Sequence, residues 1–228
     1  MRLTIILLFL VFFQNDLSSQ DEEEYVKPFK LIEFSYLGVI PVGAFSEYID
    51  PYRPGFNFSV MRELKSNNQI FVGFGAHFWR IQQISNSYVD RSFYDVVDAR
   101  TASNVASIHI QGRYYTNWYL PRFEPYFDFN VGGHYAYLQT IEEFQSPEFE
   151  SNIDVEGNLG LSYGFGIGGQ LNIVSNIAMG ISIHYFSASR MKYDTAEDFT
   201  FEVPALNFTE KSSFVNYISH RIGIIFGF

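Results

Sequence analysis

The sequence contains no cysteine. That absence excludes disulfides, thiolate metal sites, a cysteine nucleophile and a lipidated N-terminal cysteine, and leaves the compartment open. Outside the extreme N-terminus there is no run of about 18 or more apolar residues, so no membrane-spanning helix is expected in the processed chain. Basic residues are in deficit: 15 Lys and Arg stand against 25 Asp and Glu, for a formal net charge of −10. With no basic face to neutralise phosphates, nucleic acid is not an expected partner. No break in composition divides the 228 residues, which fits one domain of the larger all-β kind. What is abundant is the aromatic side chain, 19% of the total with Phe 25 and Tyr 16, a bias toward strands.

Met1-Arg2, the apolar Leu3 to Phe13 and the small residues of Leu17-Ser18-Ser19 read as a secretory signal peptide over 1–19. An acidic leader over 20–28, with Asp21, Glu22, Glu23 and Glu24, is expected to be disordered. The final stretch, Ser213 to Phe228, then sets Phe214, Ile218, Ile222, Ile224, Phe226 and Phe228 against Tyr217, Ser219, Arg221, Gly223 and Gly227. That alternation is a strand with one apolar and one polar face. Seven more segments alternate in the same way: Phe29 to Ile40, Gly55 to Leu64, Ile70 to Trp79, Val105 to Tyr115, Tyr126 to Tyr137, Asn158 to Leu171 and Asn176 to Phe186. Eight is an even number, which allows an antiparallel up-and-down transmembrane β-barrel to close over 29–228.

The connections alternate long and short. Pro41 to Pro54, Arg80 to Asn104, Leu138 to Gly157 and Ser187 to Ser212 read as long polar loops, and Lys65 to Asn68, Thr116 to Glu124 and Asn172 to Ser175 as short turns. Long loops outside the cell and tight turns in the periplasm put both termini in the periplasm of a Gram-negative bacterium. A secreted lipocalin would turn its apolar face inward and carry Lys, Glu and Asp on the other; here the polar face holds Gly, Ser, Asn, His and occasional Arg, which suits a confined interior. Trp118, Tyr119, Tyr135, Tyr137, Phe226 and Phe228 lie near strand ends, where aromatic belts meet the membrane boundary.

With the signal peptide and repeated alternation, the Pro41-Val42-Gly43-Ala44-Phe45 segment, PYFDFNVGG at Pro125 to Gly133 and the terminal GIIFGF, the chain resembles the small eight-stranded outer-membrane barrels. Their architecture is that of the OmpA transmembrane domain and of barrels labelled PorT-like, and the resemblance covers nearly all of the processed chain. It implies contact with outer-membrane lipid and lipopolysaccharide and insertion by barrel-assembly machinery. No peptidoglycan-binding domain follows the barrel in this sequence, so a tethering role is not expected.

The residues expected to line the interior are Glu33, Glu63, His77, His109, Arg113, Asp128, His134, His184 and Arg221. Charges in a narrow barrel must be paired or hydrated, so ion pairs are expected, Arg113 with Asp128 across one short turn and Glu33 with Arg221 where the first and last strands meet. The four inward histidines lack the close spacing of a ligand motif, and neither a metal nor another cofactor is expected. A lipid A deacylase would need a His and a Ser on one outward face; His184 and Ser187, and Ser219 and His220, fall on opposite faces. The loops, rich in Tyr, Phe, Asp and Glu, suit contact with a protein partner or a glycan, or the bridging of divalent cations at a polysaccharide surface. The sequence therefore points to a non-enzymatic structural or interaction subunit, such as one of a secretion or envelope-assembly machine, with a lipid A enzyme and a narrow channel as alternatives.

Overall fold

A computed structural model describes residues 30–47, 49, 51–64, 69–90, 95–116, 118, 122–144, 152–174, 176–196 and 208–228. The sequence-assigned signal peptide, leader and Tyr119 lie outside them. Eight strands follow one another: β1 (Lys30–Pro41), β2 (Arg53–Glu63), β3 (Ile70–Asp90), β4 (Asp95–Tyr115), β5 (Phe123–Phe144), β6 (Asn152–Val174), β7 (Ile177–Ala196) and β8 (Phe208–Gly227). Each pairs antiparallel with its neighbours, and β1 pairs with β8 from Leu31↔Gly227 to Pro41↔Tyr217, closing the barrel. Lys30 and Phe228 exchange both backbone hydrogen bonds at 2.9 Å, so the terminal residue of the chain belongs to the seam.

The register fixes how far the barrel is sheared. The row Trp79, Gly55, Leu37, Arg221, Ser182, Gly168, Tyr126, Tyr115 runs once around the barrel and meets β3 again at Gln69, ten residues before Trp79. Eight strands with a shear of ten tilt at about 40°, and leave an interior wide enough only for side chains or one small ligand.

Outward positions are apolar over one half of the barrel's height. On β3 they run Ile70, Val72, Phe74, Ala76, Phe78 and then change to Arg80; on β4 they run Tyr114, Ile110, Ile108, Ala106 and change to Asn104. The same change falls between Tyr137 and Gln139, Tyr185 and Ser187, and Ile218 and Asn216. About 9–11 tilted residues cross the hydrocarbon layer, and Ile70 to Phe78 fits that length. The apolar face therefore points at lipid: Phe74 is 66% exposed, Ile108 68% and Leu161 78%.

Three expected loops are corrected. Arg80 to Asn104 forms the upper halves of β3 and β4, with only residues 91–94 between them; β5 and β6 extend to Phe144 and from Asn152, and β7 and β8 to Ala196 and from Phe208. Above the membrane the outward face of a strand meets water or polar neighbours instead of lipid, so backbone pairing continues without the apolar outward face that marks the lower halves. Tyr193, expected in a loop, points inward from β7 and is 2% exposed. The connection between β1 and β2 does leave the sheet: a 3-10 helix, η1 (Gly43–Glu47), starts at Gly43 with φ 65° and tucks Phe45 into the barrel mouth. Because β1 and β2 have 12 and 11 residues against 20–23 for the others, this mouth is lower on one side.

Candidate functional site

Inside the membrane-spanning half of the barrel a charged cluster lies one inward position above Leu31, Tyr115 and Tyr126 of β1, β4 and β5. Arg113 donates to Asp128 from Nε (2.7 Å) and Nη2 (3.0 Å), and from Nη2 to Glu33 Oε2 at 2.9 Å. Contact between β4 and β1, which are not neighbours in the sheet, can run only through the lumen. Ser35 donates to Glu33 at 3.1 Å, Gln111 to Asp128 at 3.2 Å, and His184 Nε2 lies 3.0 Å from Asp128 Oδ2. The Arg113 guanidinium also rests over the Tyr126 ring, 3.8 Å from its centroid. Each carboxylate is thus paired and hydrogen-bonded, as burial demands.

Arg221 is placed differently from the expectation. It does not pair with Glu33: the register sets Glu33 opposite Ile225 and Arg221 opposite Leu37, and Arg113 takes Glu33 from across the lumen. Arg221 Nη2 instead donates to His77 Nε2 at 2.9 Å, which requires an unprotonated Nε2 on His77. His109 meets Ser162 at 3.0 Å and His134 meets the Tyr217 hydroxyl at 2.7 Å. The rings of His77 and His109, and of His109 and His134, stand 4.8 and 5.1 Å apart around Phe186, so three of the four histidines come closer together than their sequence spacing indicates. Among the described residues no group of three or more His, Cys, Asp or Glu is arranged to hold a metal ion. Glu63 ends β2 half-buried and takes no part in the cluster's hydrogen bonds.

Two apolar clusters enclose this polar middle. At the turn end, Leu31, Met61, Phe71, Tyr115, Tyr126, Ala178 and Ile225 pack together. At the extended end, Leu37, Val39, Trp79, Phe186, Tyr193 and Tyr217 pack around Phe45, whose ring meets those of Trp79 and Tyr193 edge-on at 6.1 and 5.0 Å. A polar lumen sealed by side chains and a lipid-facing belt outside leave one architecture. The fold is that of a bacterial outer-membrane β-barrel. No protein-family model and no curated relative matches the sequence. Among solved structures the barrel is similar to Neisserial surface protein A, with 9% identity and a TM-score of 0.49 over 87% of this chain and 97% of that one. It is similar to OprG from Pseudomonas aeruginosa at 14% identity, TM-score 0.45, over 89% and 97%. A third is Ail of Yersinia pestis, solved with the heparin analogue sucrose octasulfate, at 17% identity and TM-score 0.39 over 87% and 96%. At these identities the likeness is one of fold alone.

On the barrel's outer wall, His220 is a polar side chain inside the lipid-facing belt. Its ring lies over Gly38, where an added Cβ would stand 2.1 Å from Cε1. Tyr52 stacks on it at 5.5 Å and 24°, with its hydroxyl 3.3 Å from Nε2 and 2.8 Å from the Tyr36 hydroxyl. Of the aromatics expected at the boundary, Trp118 and Phe228 are largely exposed, Tyr135 is exposed on the outer wall, and Tyr137 and Phe226 are half-buried there.

Proposed function

We propose that this protein is a non-enzymatic, non-conducting outer-membrane barrel, oriented with both termini in the periplasm, that serves as a structural or interaction subunit of an envelope or secretion assembly. The observation that carries this reading is the pair of apolar seals around a paired charge cluster, an arrangement suited to holding a barrel shut. The six long strands supply the second support: they raise hairpins well beyond the lipid belt, where a partner can reach them. The placement of the histidines also favours it. His184 is turned inward onto Asp128, and outward His220 is engaged by Tyr52 rather than by a serine.

The test is affinity purification of the tagged barrel from native outer membranes in mild detergent, with mass spectrometry of what accompanies it. A stoichiometric partner that is lost when residues 197–207 are replaced by a short Gly-Ser turn supports the subunit reading. A barrel that emerges with lipid alone, and that hydrolyses or acylates lipid A, overturns it.

A further inference from the structure

The boundary between the apolar belt and the extended hairpins is built unevenly around the barrel, and one sector is equipped to hold an anion. Across β3, β4, β5 and β6 the register aligns Arg80, Asn104, Tyr137 and Gly157, all outward, directly above the apolar row Phe78, Ala106, Tyr135, Leu159. Arg80 donates from Nε to Asn104 Oδ1 at 3.2 Å and from Nη1 to Gln83 Oε1. Two neutral amides thus fix the guanidinium while leaving its charge unpaired: no carboxylate of the described residues lies within ion-pairing distance of it. An exposed cation of this kind is conspicuous in a chain of net charge −10. Beside it Tyr135 and Tyr137 stack at 5.4 Å and 18°. Tyr135 lies flat against β6 because Gly157 has no side chain; a Cβ there would stand 2.4 Å from the ring.

We infer that this row is a binding site for the phosphorylated sugar headgroup of an outer-leaflet glycolipid. Arg80 takes the phosphate with its free N–H groups, since guanidinium matches phosphate geometry and is weakly hydrated. The paired tyrosine rings offer a flat apolar face to the sugar and hydroxyls to its rim. What favours a glycolipid over a phospholipid is the wall above. A phospholipid headgroup ends at the Arg80 row, whereas a saccharide continues upward along the same strands. There an open cleft of about 520 Å³ is lined by Ser85, Ser87, Asp98, Ala99, Arg100, Ile141 and Glu143, polar but for Ala99 and Ile141. The inference rests on the orientation proposed above, because only the outer leaflet carries such lipid.

The test uses the full barrel refolded in detergent, with binding of purified rough lipopolysaccharide read by native mass spectrometry. Arg80→Gln is expected to weaken binding roughly tenfold, the loss of one charge-assisted contact, and Tyr135→Leu with Tyr137→Leu to weaken it severalfold. Arg190→Gln, an exposed arginine of β7 bonded to Ser212, is expected to leave binding unchanged. Unchanged binding by Arg80→Gln overturns the proposal, as does an equal loss with Arg190→Gln, which would mean unspecific charge attraction. Equal, Arg80-dependent binding of phosphatidylglycerol overturns the glycolipid assignment. An epitope placed at residues 91–94 and probed on intact cells reports the orientation separately, so a wrong orientation and a wrong site are told apart.

Discussion

Arg113 and Arg221 are both fully buried, yet their surroundings differ. Arg113 is held by two carboxylates and a tyrosine face, whereas Arg221 has one hydrogen bond to a histidine and the Phe186 ring 5.7 Å away, with no carboxylate of the described residues in ion-pairing distance. Removing one member of a buried pair strands the other, at about 3–5 kcal/mol, so Arg113→Met is expected to be strongly destabilising in urea titrations of the lipid-reconstituted barrel. In double-mutant cycles Arg113 and Glu33 should couple by about 1–3 kcal/mol, and Arg221 and Glu33 by less; equal coupling would sink this account of the cluster. The sequence makes the Arg113–Asp128 contact legible because the two flank one short connection. The pairing of Glu33 is not, because β1 and β8 meet in a register set by the shear of the whole barrel, and no local pattern encodes that offset.

Alternation identifies every strand where one face meets lipid, and it stops where lipid stops. That is why the membrane halves of β3 to β8 are legible and their upper halves read as loops. The β1–β2 connection is the opposite case: a true loop, whose Pro41-Val42-Gly43-Ala44-Phe45 segment is visible as a motif without its purpose. The structure gives that purpose. Gly43 adopts a left-handed turn that most side chains disfavour, and the turn delivers Phe45 between Trp79 and Tyr193. Truncating a buried phenylalanine costs about 3–5 kcal/mol. Phe45→Ala is therefore expected to lower the unfolding free energy by about 3 kcal/mol, while Glu47→Ala, at an exposed position of the same turn, should change it by less than about 0.5 kcal/mol. Equal effects would mean that η1 merely lies on the rim.

For the barrel as a whole, the question is whether two seals in series behave as one closed wall. The lower seal, formed by Phe71, Tyr115 and Tyr126 with their aliphatic neighbours, shares no residue with the upper one. The Tyr115 hydroxyl is tied to Gln170 at 2.7 Å and the Phe71 and Tyr115 rings pack edge-on at 5.5 Å, so this end is fastened independently of η1. An ion entering past Phe45 would have to leave water, pass a cluster whose carboxylates Arg113 already pairs, and leave through that second apolar layer, a cost of several kcal/mol. In planar bilayers the native barrel is therefore expected to show no discrete current steps, and Phe45→Ala, although less stable, is expected to remain silent. Steps from Phe45→Ala alone would make η1 the sole barrier and the lower cluster leaky. Steps from the native barrel would make the polar lumen a conduit and replace the subunit reading with a channel.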